Sequence, residues 1–425
     1  MSSAAIEHIN DLSAFVADSP SSFHAAAAAA RRLAAAGFTE LSEAEAWDPA
    51  PGGHFVIRDG ALIAWVQPEG ATATTGFHIV GSHTDSPSFK LKPKPTTGAH
   101  GWLQAGVEVY GGPLLNSWLD RELLLAGRLV LLDGTQVLAR TKPMLRFPQL
   151  AVHLDRAVND GLALDKQVHM NPVWGIGNPE EADVLAVLAE SAGVDAAEIG
   201  GYDVVVADAQ RGEVFGAANE FFASGRLDNL SSMHASLTAL VHHAASGAGE
   251  HIAVLAAFDH EEIGSASRSG ACGPFLQDVL ERIGHGLGAT LQDRNRAYAD
   301  SVCLSADAGH SVHPNYPGRH DPANRPLLGA GPLLKINANQ RYATDAVGAA
   351  LFARLCATAD VPYQEFVSNN QMPCGSTIGP LTATRLGIRT VDVGIPLLSM
   401  HSAREMCAVA DPLRLARISE AFFAA

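Results

Sequence analysis

GFHIVGSHTDSP, residues 76–87, is a short apolar strand pattern that breaks off into polar residues. The same shape returns in HIAVLAAFDHEE (251–262), SVCLSADAGH (301–310) and RTVDVGIPLLSMHS (389–402). Helical patterns lie between them, as in LDNLSSMHASLTALVHHAA (227–245) and TDAVGAALFARLCATA (344–359). Short apolar strands alternating with helices predict an α/β fold, a mostly parallel sheet sandwiched by helices.

Upstream, SPSSFHAAAAAARRLAAAGF (19–38) reads as a helix capped by Ser19 or Ser21 and stopped by Gly37. HFVIRDGALIAWV (54–66) reads as a hairpin turning at Asp59-Gly60. The middle of the chain differs. GWLQAGVEVYGG (101–112), ELLLAGRLVLLDGTQVLART (122–141) and YDVVVADAQRG (202–212) are all strand-like. They predict a β-rich domain over 92–215, inserted into a catalytic domain made of 1–91 and 216–425.

A chain of 425 residues is too long for one hydrophobic core. With 47% hydrophobic and 17% charged residues it has ample material for a large one. The net charge of −16 argues against nucleic acid or an anionic membrane as the main partner. Five cysteines without a Cys-x-x-Cys pair read as reduced thiols, which predicts a cytoplasmic location. MSSAAIEHINDLSAFVADSP carries no secretion signal, and no run of ~18 apolar residues predicts a membrane span.

In open α/β sheets ligands bind beyond the carboxyl ends of the strands. The polar residues expected there are His83 and Asp85, Asp228, Glu261 and Glu262, Asp307, and His401. Such a set without cysteine suits zinc-like or manganese-like ions in a hydrolytic site. The charges also balance. Asp228, Glu262, Asp307 and one hydroxide offset two divalent cations, with the histidines as neutral ligands. If Asp228 is shared, one ion takes His83, Asp228 and Asp307, and the other Asp228, Glu262 and His401. A water between them is left reactive. The adjacent pair Glu261-Glu262 is then a division of labour, since successive side chains at a strand end diverge. Glu262 is expected to ligate and Glu261 to act as general base.

Several blocks now form a larger pattern: GSHTDSP (81–87), GVEVYGG (106–112), SWLDRELLLAGR (117–128), GRLDNL (225–230), HEEIGS (260–265), SADAGHSVHPNY (305–316), GPLLKINANQRYATDA (331–346), PCGSTIGP (373–380) and MHSAREM (400–406). In this order, across almost the whole chain, they resemble the M18 metallopeptidases, the aspartyl aminopeptidase family. The resemblance implies two zinc ions in the arrangement above and Asp85 orienting His83, while the ligand types themselves also accept cobalt or manganese. It implies an aminopeptidase that releases N-terminal residues, preferring Asp and Glu, with Lys335 and Tyr342 contacting the substrate. It also implies that His153 reaches a neighbouring subunit's active site, in a homo-oligomer expected to be a tetrahedral dodecamer. His310 and His313 are expected to pack or support rather than ligate. The alternatives are an aminopeptidase of broad or neutral specificity, a related di-zinc amidohydrolase or deacylase, and a catalytically silent shell-forming protein. GSASRSG (264–270) and GIGNPE (175–180) fit neither a serine-hydrolase elbow nor a dinucleotide loop.

Overall fold

The computed structural model describes residues 2–48, 50–247 and 249–425. Helices α1 (Ser3–Asp18) and α2 (Ser22–Ala35) open the chain, capped by the hydroxyls of Ser2 and Ser21. Strands β1 (Thr39–Glu40), β2 (Gly52–Arg58), β3 (Ala61–Gln67) and β4 (Phe77–His83) follow. The expected hairpin is β2–β3, with Asp59 at a φ of 56° in its turn.

Next come β5 (Ser88–Thr97), β6 (Trp102–Tyr110), β7 (Leu123–Leu131), β8 (Gln136–Arg140), β9 (Val173–Ile176), α3 (Val184–Ala192) and β10 (Ile199–Asp208). These strands form an antiparallel six-stranded sheet in the order β8-β7-β10-β5-β6-β9. Its core gathers Phe89, Trp118 and Phe147, and α3 packs against β5 and β8. The sheet spans Ser88–Asp208, starting four residues before the expected 92 and ending seven before 215.

The chain then runs through β11 (Glu213–Phe215), β12 (Phe221–Ser224), α4 (Leu227–Ser246), β13 (Ile252–Phe258), α5 (Phe275–Gly286), α6 (Leu291–Ala299), β14 (Val302–Ala306) and β15 (Gly309–His310). It closes with β16 (Leu333–Ile336), α7 (Ala346–Thr358), β17 (Gln364–Val367), α8 (Ile378–Leu386), β18 (Arg389–Gly394), β19 (Pro396–Leu397), β20 (Glu405–Ala408) and α9 (Asp411–Phe423).

The main sheet has nine strands in the order β1-β2-β3-β13-β4-β14-β18-β16-β17. Its four central strands, β13, β4, β14 and β18, run parallel, and the flanks are mixed. Both faces are covered, so β4 and β13 are buried at every position. Along β13, Ala253, Leu255 and Ala257 join the core beneath α1, α2, α4, α7 and α9. Val254, Ala256 and Phe258 join the opposite core, beneath α5, α6 and α8. This alternation explains the unbroken apolar runs. A small sheet, β11-β12-β20, ties the return from the insert to the last loop and sets Ser224 opposite Glu405. No described helix is long and apolar enough to cross a membrane.

Candidate metal centre

Parallel strands deliver their carboxyl ends to one edge, so β13, β4 and β14 bring their terminal side chains together. His83 is the last residue of β4, Asp307 follows β14, and the acidic pair follows β13. The pair does not sit on the strand itself. Glu261–Ile263 form a single 3-10 turn between His260 and Gly264, both in the left-handed region. The two side chains therefore diverge around a tight turn, and not across the pleat of a strand as expected. Glu262 keeps 4% of its side chain exposed and Glu261 17%, so the second carboxylate faces the more open side.

Asp228 stands at a break at the start of α4, where it and Asn229 leave the helical region. Three contacts hold the segment: Ser86 Oγ donates to the Asp228 carbonyl at 2.7 Å, Asn229 Nδ2 to Ala306 O at 2.9 Å, and Asp228 N–H to Glu405 Oε2 at 3.0 Å. His401 lies on the loop between β19 and β20, and its N–H donates to Glu405 Oε1 at 2.9 Å. One fully buried glutamate thus fixes the backbones of two expected ligands. Sequence reasoning quoted Glu405 within MHSAREM but gave it no role; an acidic residue opening the apolar strand EMCA was its only signal.

The five expected ligands converge. Asp228 Oδ1 lies 3.3 Å from His83 Nε2, and Oδ2 lies 3.4 Å from His401 Nε2. His83 Nε2 is 3.5 Å from Asp307 Oδ1, and His401 Nε2 is 3.4 Å from Glu262 Oε2. Among the described residues, His83, Asp228 and Glu262, drawn from both expected ligand sets, offer ligand atoms all within 4.8 Å of one another. Asp228 therefore turns one oxygen toward each histidine.

These spacings fit metal ligands. Two atoms bound to a tetrahedral zinc at about 2.0–2.2 Å are about 3.3–3.6 Å from each other. The protonation pattern agrees. His83 Nδ1 lies 3.0 Å from the Asp85 carbonyl and His401 Nδ1 3.0 Å from the Gly112 carbonyl. A carbonyl only accepts, so each Nδ1 carries a proton and each Nε2 is the ring atom that faces the carboxylates. Asp228 Oδ1 and Glu262 Oε1 are buried without a hydrogen-bond partner. A buried carboxylate oxygen with no donor is costly unless a cation sits beside it.

The side-chain charges alone make the strain visible. Burial, reinforced by Asp307, Asp85 and Asp228, pushes Glu261 up to about 8. Burial and Asp228 lift Glu262 well above the carboxylate range. Burial opposes the charge on His401, yet Asp228 raises it to about 9. Cations would relieve all three.

Asp85 supports the cluster from behind. Its Oδ2 accepts from Tyr110 Oη at 2.8 Å and from Glu262 N–H at 3.1 Å, and its Oδ1 accepts from Glu261 N–H at 3.1 Å. Oδ1 is also 3.4 Å from His83 Nδ1. The residue expected to orient His83 thus also fixes the acidic turn. Burial, with Asp85 and Asp259 beside it, keeps the Tyr110 phenol protonated and a donor.

Lys335, on β16, is buried at 1% exposure. Its Nζ donates to Ala308 O at 2.7 Å, lies 3.6 Å from Asp307 Oδ2, and sits 5.4 Å from the Tyr342 ring centre. Lys335 therefore lies beside Asp307, and the Tyr342 ring lies beside Lys335. His310 is nearby and packs edge-on against Phe366 at 6.4 Å. His313 lies against Tyr316, at 4.9 Å between ring centres. His153 is exposed in the insert, and among the described residues it makes no hydrogen bond or ion pair to the centre.

Residues 15–423 match the family model described as aminopeptidase I zinc metalloprotease (M18). A protein of Streptomyces avermitilis named probable M18 family aminopeptidase 2 is 55% identical over 419 residues, covering 98% of this chain and 97% of the relative. The fold superposes on Ape4 from the cryo-EM structure of its complex with Nbr1 with a TM-score of 0.95, at 37% identity over 99% of this chain and 86% of that one. It also superposes on the S. cerevisiae mApe1 dodecamer subunit with a TM-score of 0.84, at 30% identity over 99% of this chain and 96% of that one. The chain belongs to the M18 family of zinc metallopeptidases, the metal-dependent aminopeptidases.

Proposed function

We propose that this protein removes N-terminal residues from peptides at a centre holding two zinc ions. One observation carries the proposal: the two oxygens of Asp228 face different histidines, at 3.3 and 3.4 Å. His83, Asp228 and Asp307 would hold one ion, and Asp228, Glu262 and His401 the other. When bound, the ions would supply Lewis acidity, polarising a peptide carbonyl and acidifying a water.

The chain's own residues supply the rest. Glu261 is close to the ligands, with Oε2 3.9 Å from His83 Nε2, and it is the less buried of the pair. Its carboxylate would take the proton of the attacking water and return it to the leaving amine. Asp85 and Glu405 hold the backbones that carry Glu261, Glu262, Asp228 and His401. Zinc content and turnover of Glu261→Gln and Glu262→Gln test the roles. The proposal requires full zinc without turnover in the first and lost zinc in the second, and the reverse would end it.

For the residue removed, we propose Asp or Glu, with Lys335 as the cation that selects them. A specific observation favours a second reading, broad or neutral preference: the Lys335 ammonium already serves Ala308 O and Asp307. Rates on peptides beginning with Asp, Glu or Leu separate the two. The dodecameric mApe1 relative supports a homo-oligomer, proposed to be a tetrahedral shell of twelve subunits in which His153 reaches a neighbour's site. All five cysteines are free, which supports a cytoplasmic location.

A further inference from the structure

We propose that the inserted sheet is part of the metal centre, with Tyr110, Gly111 and Gly112 as positioning residues for His401, Glu262 and Asp85. The inference rests on the ligand set proposed above. β6 ends at Tyr110, and the next two residues lie against Glu262 and His401.

Four contacts tie this segment to the site. Tyr110 Oη donates to Asp85 Oδ2 at 2.8 Å, beside the Glu262 N–H that shares the same oxygen. Gly112 O accepts from His401 Nδ1 at 3.0 Å, which presents Nε2 to Asp228 and Glu262. Leu114 N–H donates to His401 O at 2.9 Å, and Ala403 N–H donates to Ser117 Oγ at 2.9 Å, so the backbone at and just after His401 is pinned as well. His401 needs such anchoring, because its φ of 66° is unfavourable for a residue with a side chain. Gly111 explains itself in the same way. It has a φ of +69°, and a Cβ there would lie 3.1 Å from Glu262 Cβ and 3.3 Å from Glu262 O.

None of these three residues would touch an ion. Each acts through a ligand or through Asp85, where partners of this kind commonly change metal affinity by about 10–100-fold. The insert is thereby a structural half of the catalytic apparatus, whatever else it does in assembly.

The test is zinc stoichiometry and affinity of apo-protein titrated against a competing chelator, with steady-state kinetics alongside. Gly111→Ala should lose one zinc per chain or bind it about 10–100-fold more weakly. Gly134→Ala should bind like wild type; that glycine is also in the insert at positive φ, +89°, but nothing lies within 4 Å of its would-be Cβ. Tyr110→Phe, which removes a single oxygen, should lower kcat at least tenfold with KM unchanged. His401→Ala separates the two levels of inference. If it keeps full zinc, the ligand assignment fails. If it loses a zinc while Gly111→Ala matches Gly134→Ala, the positioning role of the insert fails. Wild-type kcat in Tyr110→Phe would remove Tyr110 from that role.

Discussion

At the scale of single residues, the proposed chemistry rests on Asp228 and Glu261. A general base in position contributes about 10²–10⁴-fold, so Glu261→Gln is expected to lose that much turnover in a kinetic assay while metal analysis finds its zinc intact. Glu262→Gln should lose zinc instead. Lys335→Met should depress activity on N-terminal Asp and Glu far more than on Leu; equal loss on all three would leave Lys335 as a partner of Asp307 only. The candidate ligands were legible in the sequence because a polar residue ending an apolar run stands out, as His83, Glu262 and Asp307 do. Glu405, Tyr110 and Gly112 were not. Glu405 meets the Asp228 N–H and Gly112 meets the His401 ring, partners far away in sequence, and such pairings leave no periodic or compositional trace.

At the scale of elements, the β12–β20 ladder places Glu405 where both of its oxygens are used. Glu405→Gln would turn an amide donor toward one of two N–H groups, leaving that contact unmade. Its zinc affinity, read by chelator competition, is expected to fall about 10–100-fold; unchanged affinity would show that the loop is held by other contacts. The parallel central strands were readable from their uninterrupted apolar runs. The start of the inserted sheet was not. β5 contains Pro93 and Pro95, has Lys94 at a φ of 56°, and shifts register against β6 between Leu91 and Thr96. A strand so interrupted loses the alternation that marks strands in sequence. The acidic pair was expected at a strand end, and a 3-10 turn with left-handed residues on either side stands there instead.

For the whole molecule, the buried charges link stability to pH and to metal. Glu261 and Glu405 are each pushed up to about 8, chiefly by burial, from an ordinary 4.5. His401, despite burial, is raised by Asp228 from 6.5 to about 9. The folded state thus keeps protons that the unfolded chain has released, and its stability falls as pH rises through this interval. His8, at about 3, and His24, at about 4, act only below their ordinary 6.5. Zinc-free protein is therefore expected to melt at a lower temperature at pH 8.5 than at pH 7, and the gain on adding zinc to grow over the same range, since zinc displaces those protons. A flat calorimetric profile would show that the cluster is not strained. The most direct measurement of the central claim is anomalous diffraction at the zinc edge from crystals of the zinc-loaded protein. Two peaks are expected, one on each side of the Asp228 carboxylate, the first against His83 and Asp307 and the second against Glu262 and His401. A single peak, or two peaks that do not share Asp228, would contradict it.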